Sequence, residues 1–193
     1  MATPLTLRFV TSAPDVASLP PTSAEVCVAG RSNVGKSSLL NALARSKGVA
    51  KVSSTPGRTR MLNCFEVEGG GTVVDLPGYG YAAASKQERA AWRRRLEHYL
   101  TQREGLRGAL LLIDGEIGPT RLDVEMLAWL RGASVPFDVV ATKHDKVKSS
   151  KRERRKRDLA DGCGVAPDHV YWVSAEKGTG LDRLRARVLE LLA

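Results

Sequence analysis

The sequence predicts an α/β domain built on a mostly parallel six-stranded sheet, with one antiparallel edge strand and helices on both faces. Three observations support this fold class. Short apolar runs of strand length alternate with helical patterns along the chain, as a parallel sheet requires. A glycine-rich loop follows the first of these runs and leads into a helix. The chain has 193 residues, which suits one domain of ordinary size.

Each element of this fold has its own local signal. The three glycines at 69–71 separate two strand candidates and predict a hairpin. Ser85 and Glu88 form a capping-box pattern that opens a helix, and apolar residues on one face of 181–192 predict the last helix. Residues 1–24 contain four prolines and are expected to be an irregular lead-in, followed by a single domain at 25–193. The strand candidates are 26–29, 61–68, 72–74, 109–113, 137–141 and 170–173.

The most specific motif is a phosphate-binding loop of the form G-x-x-x-x-G-K-S directly after the first strand candidate. Gly30 and Gly35 let the backbone curl until successive N–H groups point at phosphate oxygens. Lys36 reaches the outer phosphates, and the Ser37 hydroxyl can ligate a magnesium ion. The segment 38–44 is predicted to be the helix whose N-terminus faces the phosphates. The loop residues are Gly30, Arg31, Ser32, Asn33, Val34, Gly35, Lys36 and Ser37.

A second motif, Thr142-Lys143-His144-Asp145, indicates which base is bound. The Asp145 carboxylate can accept two hydrogen bonds from the N1–H and exocyclic amine of guanine, whereas adenine offers no such donor pair. The aliphatic stem of Lys143 could cover the base plane. Ser174 and Ala175 follow a later strand candidate, where a backbone N–H would meet the guanine carbonyl oxygen. The pattern therefore favours a guanine nucleotide.

A third motif, Asp75-Leu76-Pro77-Gly78, ends the strand candidate at 72–74. Asp75 could make a water-mediated contact with magnesium, and the Gly78 N–H could lie near a terminal phosphate. Short motifs of this kind carry little information individually. Here they occur in the correct order, each at the carboxyl end of a strand candidate, and together they predict one nucleotide site.

With these motifs the chain resembles a translation-factor-class P-loop GTPase, and three segments narrow the resemblance. Residues 30–38, 55–59 and 75–82 are similar to those of the bacterial EngB family, also called YihA or YsxC, within the TrmE-Era-EngA-EngB-Septin-like GTPases. The similarity runs from about Glu25 to the C-terminus. It implies a single EngB-type GTPase domain with GTP or GDP and Mg2+ as ligands. It also implies a role in assembling the large ribosomal subunit and a requirement for normal cell division and septation.

The resemblance further implies roles for individual residues. Ser37 and Thr59 fall on the family's magnesium ligands, with Asp75 as the third residue of the metal site. Residues 57–61 fall on the switch segment that closes over the terminal phosphate. The nucleotide contacts implied outside the phosphate loop are Gly57, Arg58, Thr59, Arg60, Met61, Asp75, Leu76, Pro77, Gly78, Thr142, Lys143, His144, Asp145, Val173, Ser174 and Ala175.

The chain lacks the glutamine that Ras-type GTPases use in catalysis. Ras-type GTPases place a glutamine directly after the D-x-x-G motif to orient the attacking water, and here that position is Tyr79. Slow intrinsic GTP hydrolysis is therefore expected, with water positioned by the backbone, a partner or a bound ion. In the wider group an asparagine at the place of Asn33 can hold K+ against the phosphates, so the catalytic candidates are Lys36, Thr59 and Asn33. Two alternatives stay open: Asn33 only stabilises the loop, and Tyr79 and Tyr81 are only packing residues.

Charge supplies the second functional clue. The chain carries 30 basic and 21 acidic residues, a net charge of +9, and nine of the basic residues lie within 143–157. Such density is typical of a polyanion-binding surface, although a solvated helix face is the ordinary alternative. A membrane surface is disfavoured because no stripe of large apolar residues accompanies the run. The expected partners are large ribosomal subunit particles and their RNA. The alternative is a GTP-dependent interaction protein of the division machinery without direct RNA binding.

The cysteine content and the length of the apolar runs indicate the cellular compartment. Three cysteines without metal-like spacing predict free thiols in a reducing cytoplasm. The longest strictly aliphatic run, at 109–113, has the length of a buried strand and is far too short to span a membrane. We therefore expect a cytoplasmic, monomeric protein without a membrane span.

Overall fold

The computed structural model describes residues 4–46, 48–50, 61–80 and 85–193. The described strands are β1 (Leu7–Ala13), β2 (Glu25–Gly30), β3 (Leu62–Val67), β4 (Thr72–Asp75), β5 (Leu106–Asp114), β6 (Phe137–Thr142) and β7 (Val170–Trp172). The described α-helices are α1 (Lys36–Leu43), α2 (Lys86–Gln102), α3 (Arg121–Gly132), α4 (Arg152–Cys163) and α5 (Leu181–Leu192). Short 3-10 turns lie at His144–Lys146, Ser149–Lys151 and Pro167–His169.

These strands form one sheet in the order β1-β3-β4-β2-β5-β6-β7. Strands β4, β2, β5, β6 and β7 are mutually parallel, and β3 runs antiparallel to both of its neighbours. The predicted α/β class with a mostly parallel sheet is confirmed. The described sheet has seven strands where six were expected, and the antiparallel strand is second from the edge because β1 pairs on its outer side.

Strand β1 lies in the segment that was expected to be irregular. Its residues Leu7 and Ala13 are buried, whereas Phe9 is 52% exposed, and the pairing with β3 is irregular between Phe9 and Thr11. Prolines interrupt a strand because they cannot donate a ladder hydrogen bond. Here Pro4 and Pro14 lie outside β1, so no proline interrupts the ladder despite the proline content of the segment.

Helices cover both faces of the sheet, as predicted. One core cluster contains Leu96 of α2, Leu127 of α3 and Leu159 of α4 packed on inward residues of the strands. The other contains Leu40 of α1 and Leu184 of α5. Alternate side chains of the parallel strands supply the two cores, since successive residues of a strand point to opposite faces. No helix among the described residues is both long enough and apolar enough to cross a membrane.

A buried carboxylate ties the start of β2 to the end of α2. Glu25 is fully buried and accepts hydrogen bonds from the Tyr99 hydroxyl at 2.6 Å and the Thr72 hydroxyl at 2.7 Å. Arg103 completes the group with an ion pair at 2.9 Å and also donates to the backbone oxygen of Pro20. Tyr99 is thus a core anchor.

The strand register brings the sequence motifs together at the carboxyl ends of the central parallel strands. Val28 of β2 lies beside Asp75 of β4, and Asp114 of β5 lies beside Thr142 of β6. The phosphate loop follows Gly30 at the end of β2. In parallel α/β sheets ligands bind in the crevice outside the carboxyl ends of the strands, which is where these loops converge.

Candidate nucleotide-binding site

The phosphate loop needs its two motif glycines for different reasons. A Cβ on Gly30 would lie 2.8 Å from Cγ1 of Val34 and 3.0 Å from the backbone oxygen of Leu112, so the close approach of strand and loop excludes a side chain. Gly35 has open space around it but adopts φ 106°, a left-handed conformation that other residues rarely tolerate. The loop conformation therefore depends on both positions.

Helix α1 begins at Lys36, two residues earlier than the segment predicted to be helical. Lys36 and Ser37 thus lie in the first turn, where backbone N–H groups lack intrahelical partners and the helix dipole favours anions. Burial lowers the pKa of the Lys36 amine, and the Asp75 carboxylate opposes this shift. A cationic side chain and free N–H groups at a helix start are suited to phosphate oxygens.

Asp75 has an unsatisfied oxygen that fits a cation site. The residue is 4% exposed, and it lies beside Asn63 in the register of β3 and β4. Its Oδ1 is buried and has no hydrogen-bond partner among the described residues. Burial raises the pKa of Asp75 to about 6, with Lys36 opposing. Because Mg2+ prefers hard oxygen ligands, Asp75 and the Ser37 hydroxyl are suited to hold it.

The D-x-x-G segment is hydrogen-bonded directly to the phosphate loop. The Ser32 N–H donates to the backbone oxygen of Tyr79 at 2.9 Å, and the Tyr79 N–H donates to the oxygen of Gly30 at 3.2 Å. A Cβ on Gly78 would lie 2.9 Å from the Ser32 nitrogen, so glycine is required at this approach. The structure thus brings these two motifs together.

The Tyr79 side chain points into the core. It is 6% exposed, its hydroxyl donates to Oδ1 of Asp123 at 2.7 Å, and its ring lies 5.9 Å from that of Trp92. Burial and the Asp123 carboxylate raise the pKa of this phenol. Of the two alternatives for Tyr79, the structure therefore favours packing.

The Thr142–Asp145 motif is linked to the phosphate loop by Thr142. Its hydroxyl donates to the backbone oxygen of Val34 at 2.7 Å, across 108 residues of chain. Lys143 adopts φ 56°, and its Nζ donates to Oδ2 of Asp114 at 2.6 Å. These contacts orient the loop after β6 relative to the loop after β2.

Asp145 is held by the loop after β7. The Ser174 hydroxyl donates to Oδ1 of Asp145 at 2.6 Å, and this bond keeps the pKa of Asp145 below its ordinary value. The Lys177 N–H in turn donates to Oγ of Ser174 at 3.0 Å. The His144 N–H donates to the backbone oxygen of Val173 at 3.1 Å. Asp145 is therefore ionised and fixed in orientation, as an acceptor of two base N–H groups must be.

A cavity of about 210 Å³ joins the phosphate loop to these two later loops. Of the predicted phosphate-loop contacts, Val34 and Gly35 line it, whereas Lys36, Ser37 and the segment 75–78 do not. Among the predicted contacts of the two later loops, Ser174 and His144 do not line it. Ser174 is fully buried behind Asp145, and the His144 ring packs edge-on against Trp172 with centroids 5.6 Å apart. The residues that line the cavity are Val34, Gly35, Ser38, Leu39, Thr142, Lys143, Asp145, Lys146, Val173, Ala175 and Glu176.

Several residues at this site carry no sequence signal that singles them out. Asp114 and Asn63 lie on strands outside the motifs, and only strand pairing reveals what they lie beside. Lys146 lies 3.8 Å from Asp145 and 3.9 Å from Glu176, at the mouth of the cavity. Lys146 directly follows the T-K-x-D motif, so its proximity to Asp145 could have been inferred from its position.

Part of the predicted site lies outside the described residues. This holds for Gly57, Arg58, Thr59 and Arg60 of the switch segment, and Met61 is the half-buried residue just before β3. Tyr81 also lies outside the described residues. Asn33 is exposed, adopts φ 64°, and its side chain makes no hydrogen bond within the described part of the chain. No side-chain hydrogen bond among the described residues therefore supports a loop-stabilising role for Asn33.

The basic run at 143–157 divides into separate structural groups. Lys143 is used at the cavity, and Arg152 donates from the start of α4 to the backbone oxygen of Val147 at 3.1 Å. Arg155 donates to the oxygen of Ile117 at 3.3 Å. Arg154 is 83% exposed in its side chain and is paired with Asp158 at 3.6 Å. An exposed cationic surface remains, and its members are Lys148, Lys151, Arg154 and Arg157.

Comparisons with known proteins agree with this geometry. A family model described as 50S ribosome-binding GTPase matches residues 25–143. A probable GTP-binding protein EngB from Pelotomaculum thermopropionicum is 47% identical over 179 residues, covering 92% of this chain and 90% of the relative. Another EngB, from Vibrio parahaemolyticus, is 43% identical over 187 residues, covering 94% and 84%.

Solved structures show the same likeness. The crystal structure of a probable GTP-binding protein engB superposes with a TM-score of 0.72 at 27% identity, covering 88% of this chain and 98% of that one. Era in complex with MgGDPNP and nucleotides 1506–1542 of 16S ribosomal RNA superposes with a TM-score of 0.69 at 25% identity, covering 90% and 58%. The motif order, the cavity between the phosphate loop and the Thr142–Asp145 loop, and these relatives lead to one conclusion: the chain belongs to the EngB family of GTP-binding GTPases.

Proposed function

We propose that this protein is a GTP-dependent molecular switch in the assembly of the large ribosomal subunit. The proposal that the protein binds a nucleotide rests on the cavity that joins the phosphate loop, Asp145 and Ala175. Guanine occupies this cavity with its N1–H and amine on the Asp145 carboxylate. The phosphates lie on the N–H groups between Gly30 and Ser37, with Lys36 against the outer oxygens.

The guanine assignment is tested by Asp145→Asn. An amide at this position suits xanthine, which has a carbonyl where guanine has its amine. Removing one charge-assisted hydrogen bond costs about 1.5–3 kcal/mol, so GTP binding should weaken by roughly ten- to a hundredfold. Xanthosine triphosphate binding should improve in the same variant. Unchanged GTP affinity would contradict the proposed site.

The proposed switch uses Mg2+ and slow hydrolysis. Ser37, Thr59 and Asp75 hold the ion, and residues 57–61 close over the terminal phosphate. An ion held there would supply positive charge to the phosphate oxygens. The phenol of Tyr79 packs in the core, so it does not orient the attacking water. Instead, Asn33 holds K+ beside the phosphates, and Lys36 contacts the outer phosphate oxygens. Hydrolysis remains slow until a partner assists.

The proposed partner is RNA of the large ribosomal subunit. Support comes from the exposed cations of α4 and the turn before it, from the description of the matched family model, and from the RNA-bound structure of the related Era protein. Dense positive charge without interleaved aromatic residues suits phosphate contacts and does not suit base stacking. The proposed role includes the requirement for normal cell division and septation that the EngB resemblance implies. The three cysteines are free, buried thiols, which suits a reducing cytoplasm.

Cosedimentation with purified large-subunit particles tests this partner. The protein should sediment with the particles in a nonhydrolysable GTP analogue and be released in GDP. The Asp145→Asn variant provides a matched control, since xanthosine nucleotides should restore its binding. If the protein never sediments with particles in either nucleotide, the ribosomal role fails and a GTP-dependent interaction with the division machinery takes its place.

A further inference from the structure

Asp114 is a buried carboxylate with no role assigned by the motifs. It is the last residue of β5, is 5% exposed, and lies beside Thr142 in the register with β6. Its Oδ2 accepts a 2.6 Å hydrogen bond from Nζ of Lys143. The pair therefore joins the end of one strand to the guanine-reading loop of the next.

The turn after β5 fixes the Asp114 carboxylate. Its Oδ1 accepts the backbone N–H groups of Glu116 at 3.0 Å and Ile117 at 3.3 Å. A Cβ on Gly115 would lie 2.4 Å from the backbone oxygen of Thr142 and 2.8 Å from Cζ3 of Trp172, so the turn is packed tightly on the end of β6. One carboxylate oxygen holds the turn, and the other faces Lys143.

Lys143 is consequently held at both ends. Its backbone has φ 56° and its ammonium group is paired with Asp114, while its side chain lines the cavity and is 36% exposed. A free lysine side chain loses substantial rotamer entropy when a ligand orders it. Holding the ammonium group beforehand reduces that cost, since the stem already lies along the cavity wall.

We infer that Asp114 is a positioning residue for guanine recognition: it holds the Lys143 stem in place to cover the base. This inference rests on the proposed guanine site. Asp114 contacts no part of the nucleotide itself and acts through Lys143. Its contribution should therefore appear with ligands that carry a base and be absent with ligands that carry only phosphates.

The first test is Asp114→Asn, with dissociation constants measured for GDP and for inorganic tripolyphosphate. The amide oxygen still accepts the two turn N–H groups, whereas the charge facing Lys143 is lost. Because Lys143 is partly exposed, we expect about fivefold weaker GDP binding and unchanged tripolyphosphate binding. Asp138→Asn is the matched control. It removes a 2.8 Å ion pair with Arg187 from β6, outside the cavity, and should change neither constant.

A double-substitution cycle separates positioning from general destabilisation. Lys143→Met keeps an apolar side chain but removes the ammonium group, so adding Asp114→Asn to it should change GDP affinity less than twofold. An equal loss in both backgrounds, or an equal loss for tripolyphosphate, overturns the inference. Should Asp114→Asn fail to fold, Asp114→Ser keeps an acceptor for the turn and tests the same pair.

If Asp145→Asn weakens GDP binding and Asp114→Asn does not, only this inference fails. If Asp145→Asn has no effect, the proposed site itself fails.

Discussion

Tyr79 and Asp123 connect the phosphate loop to helix α3. The Tyr79 hydroxyl donates to Oδ1 of Asp123 at 2.7 Å, and the Tyr79 backbone is hydrogen-bonded on both sides to the phosphate loop. The second oxygen of Asp123 accepts the N–H and hydroxyl of Thr120, which caps α3. A residue at the position where other GTPases orient water is therefore a structural link in this chain.

The first prediction concerns Tyr79→Phe. Losing a hydrogen bond to a buried carboxylate should lower the free energy of unfolding by about 1–3 kcal/mol, measured by chemical denaturation. The rate of GTP hydrolysis at saturating substrate should stay within about twofold of the parent, since the phenol takes no part in orienting water.

Tyr99→Phe is the matched control for this prediction. Tyr99 also donates from a buried phenol to a carboxylate, that of Glu25 at 2.6 Å, away from the nucleotide cavity. Both variants should lose stability and keep their hydrolysis rate. A more than tenfold fall in hydrolysis for Tyr79→Phe alone would show that the phenol acts in catalysis.

The second prediction concerns the magnesium site. Ser37→Ala removes a hydroxyl ligand and should raise the Mg2+ concentration needed for half-maximal GTP binding by about tenfold, whereas Lys36→Ala should weaken triphosphate binding at any Mg2+ concentration. Titrating Mg2+ against a fluorescent GTP analogue measures both effects. Identical Mg2+ dependence in the parent and Ser37→Ala would remove Ser37 from the metal site.

The third prediction concerns the monovalent ion. GTP hydrolysis should be faster in KCl than in NaCl at equal ionic strength, and Asn33→Ala should abolish the difference. Because Asn33 has φ 64°, alanine at this position is strained. Asn33→Gly is the matched control, since it removes the side chain without that strain and should abolish the difference equally. Equal rates of the parent in both salts would exclude a K+ role.

The fourth prediction concerns the exposed cations near α4. Reversing Lys148, Arg154 and Arg157 to Glu should weaken binding to large-subunit particles while leaving GTP affinity intact. Each lost phosphate contact should reduce the slope of log affinity against log salt by about 0.7–0.9. Arg155 is left unchanged because it donates to the backbone oxygen of Ile117, in the turn held by Asp114.

A second charge reversal, at Arg93, Arg94 and Arg95 of α2, is the comparison for this surface. It adds the same charge change on a different helix and should have the smaller effect on particle binding. If the α4 reversal leaves the salt slope unchanged and the α2 reversal reduces it, RNA docks on α2. If neither reversal changes the slope, both runs are solvated helix faces.

The sequence by itself determined the fold class and the main binding motifs. The phosphate loop and the Thr142–Asp145 loop were predictable because their functional groups are contiguous in the chain, and glycine and carboxylate chemistry at fixed spacing has few other uses. The alternation of strand and helix patterns predicted the parallel sheet for the same reason, since periodicity is a local property.

Only the tertiary structure decided what joins distant segments. Strand β1 was missed because its identity depends on pairing with β3 and not on its own proline-rich surroundings. The partner of Lys143 is 29 residues away and that of Tyr79 is 44 residues away, on elements whose local patterns reveal no such contacts. A buried polar group must find a hydrogen-bond partner, but which partner it finds depends on how the strands and helices pack.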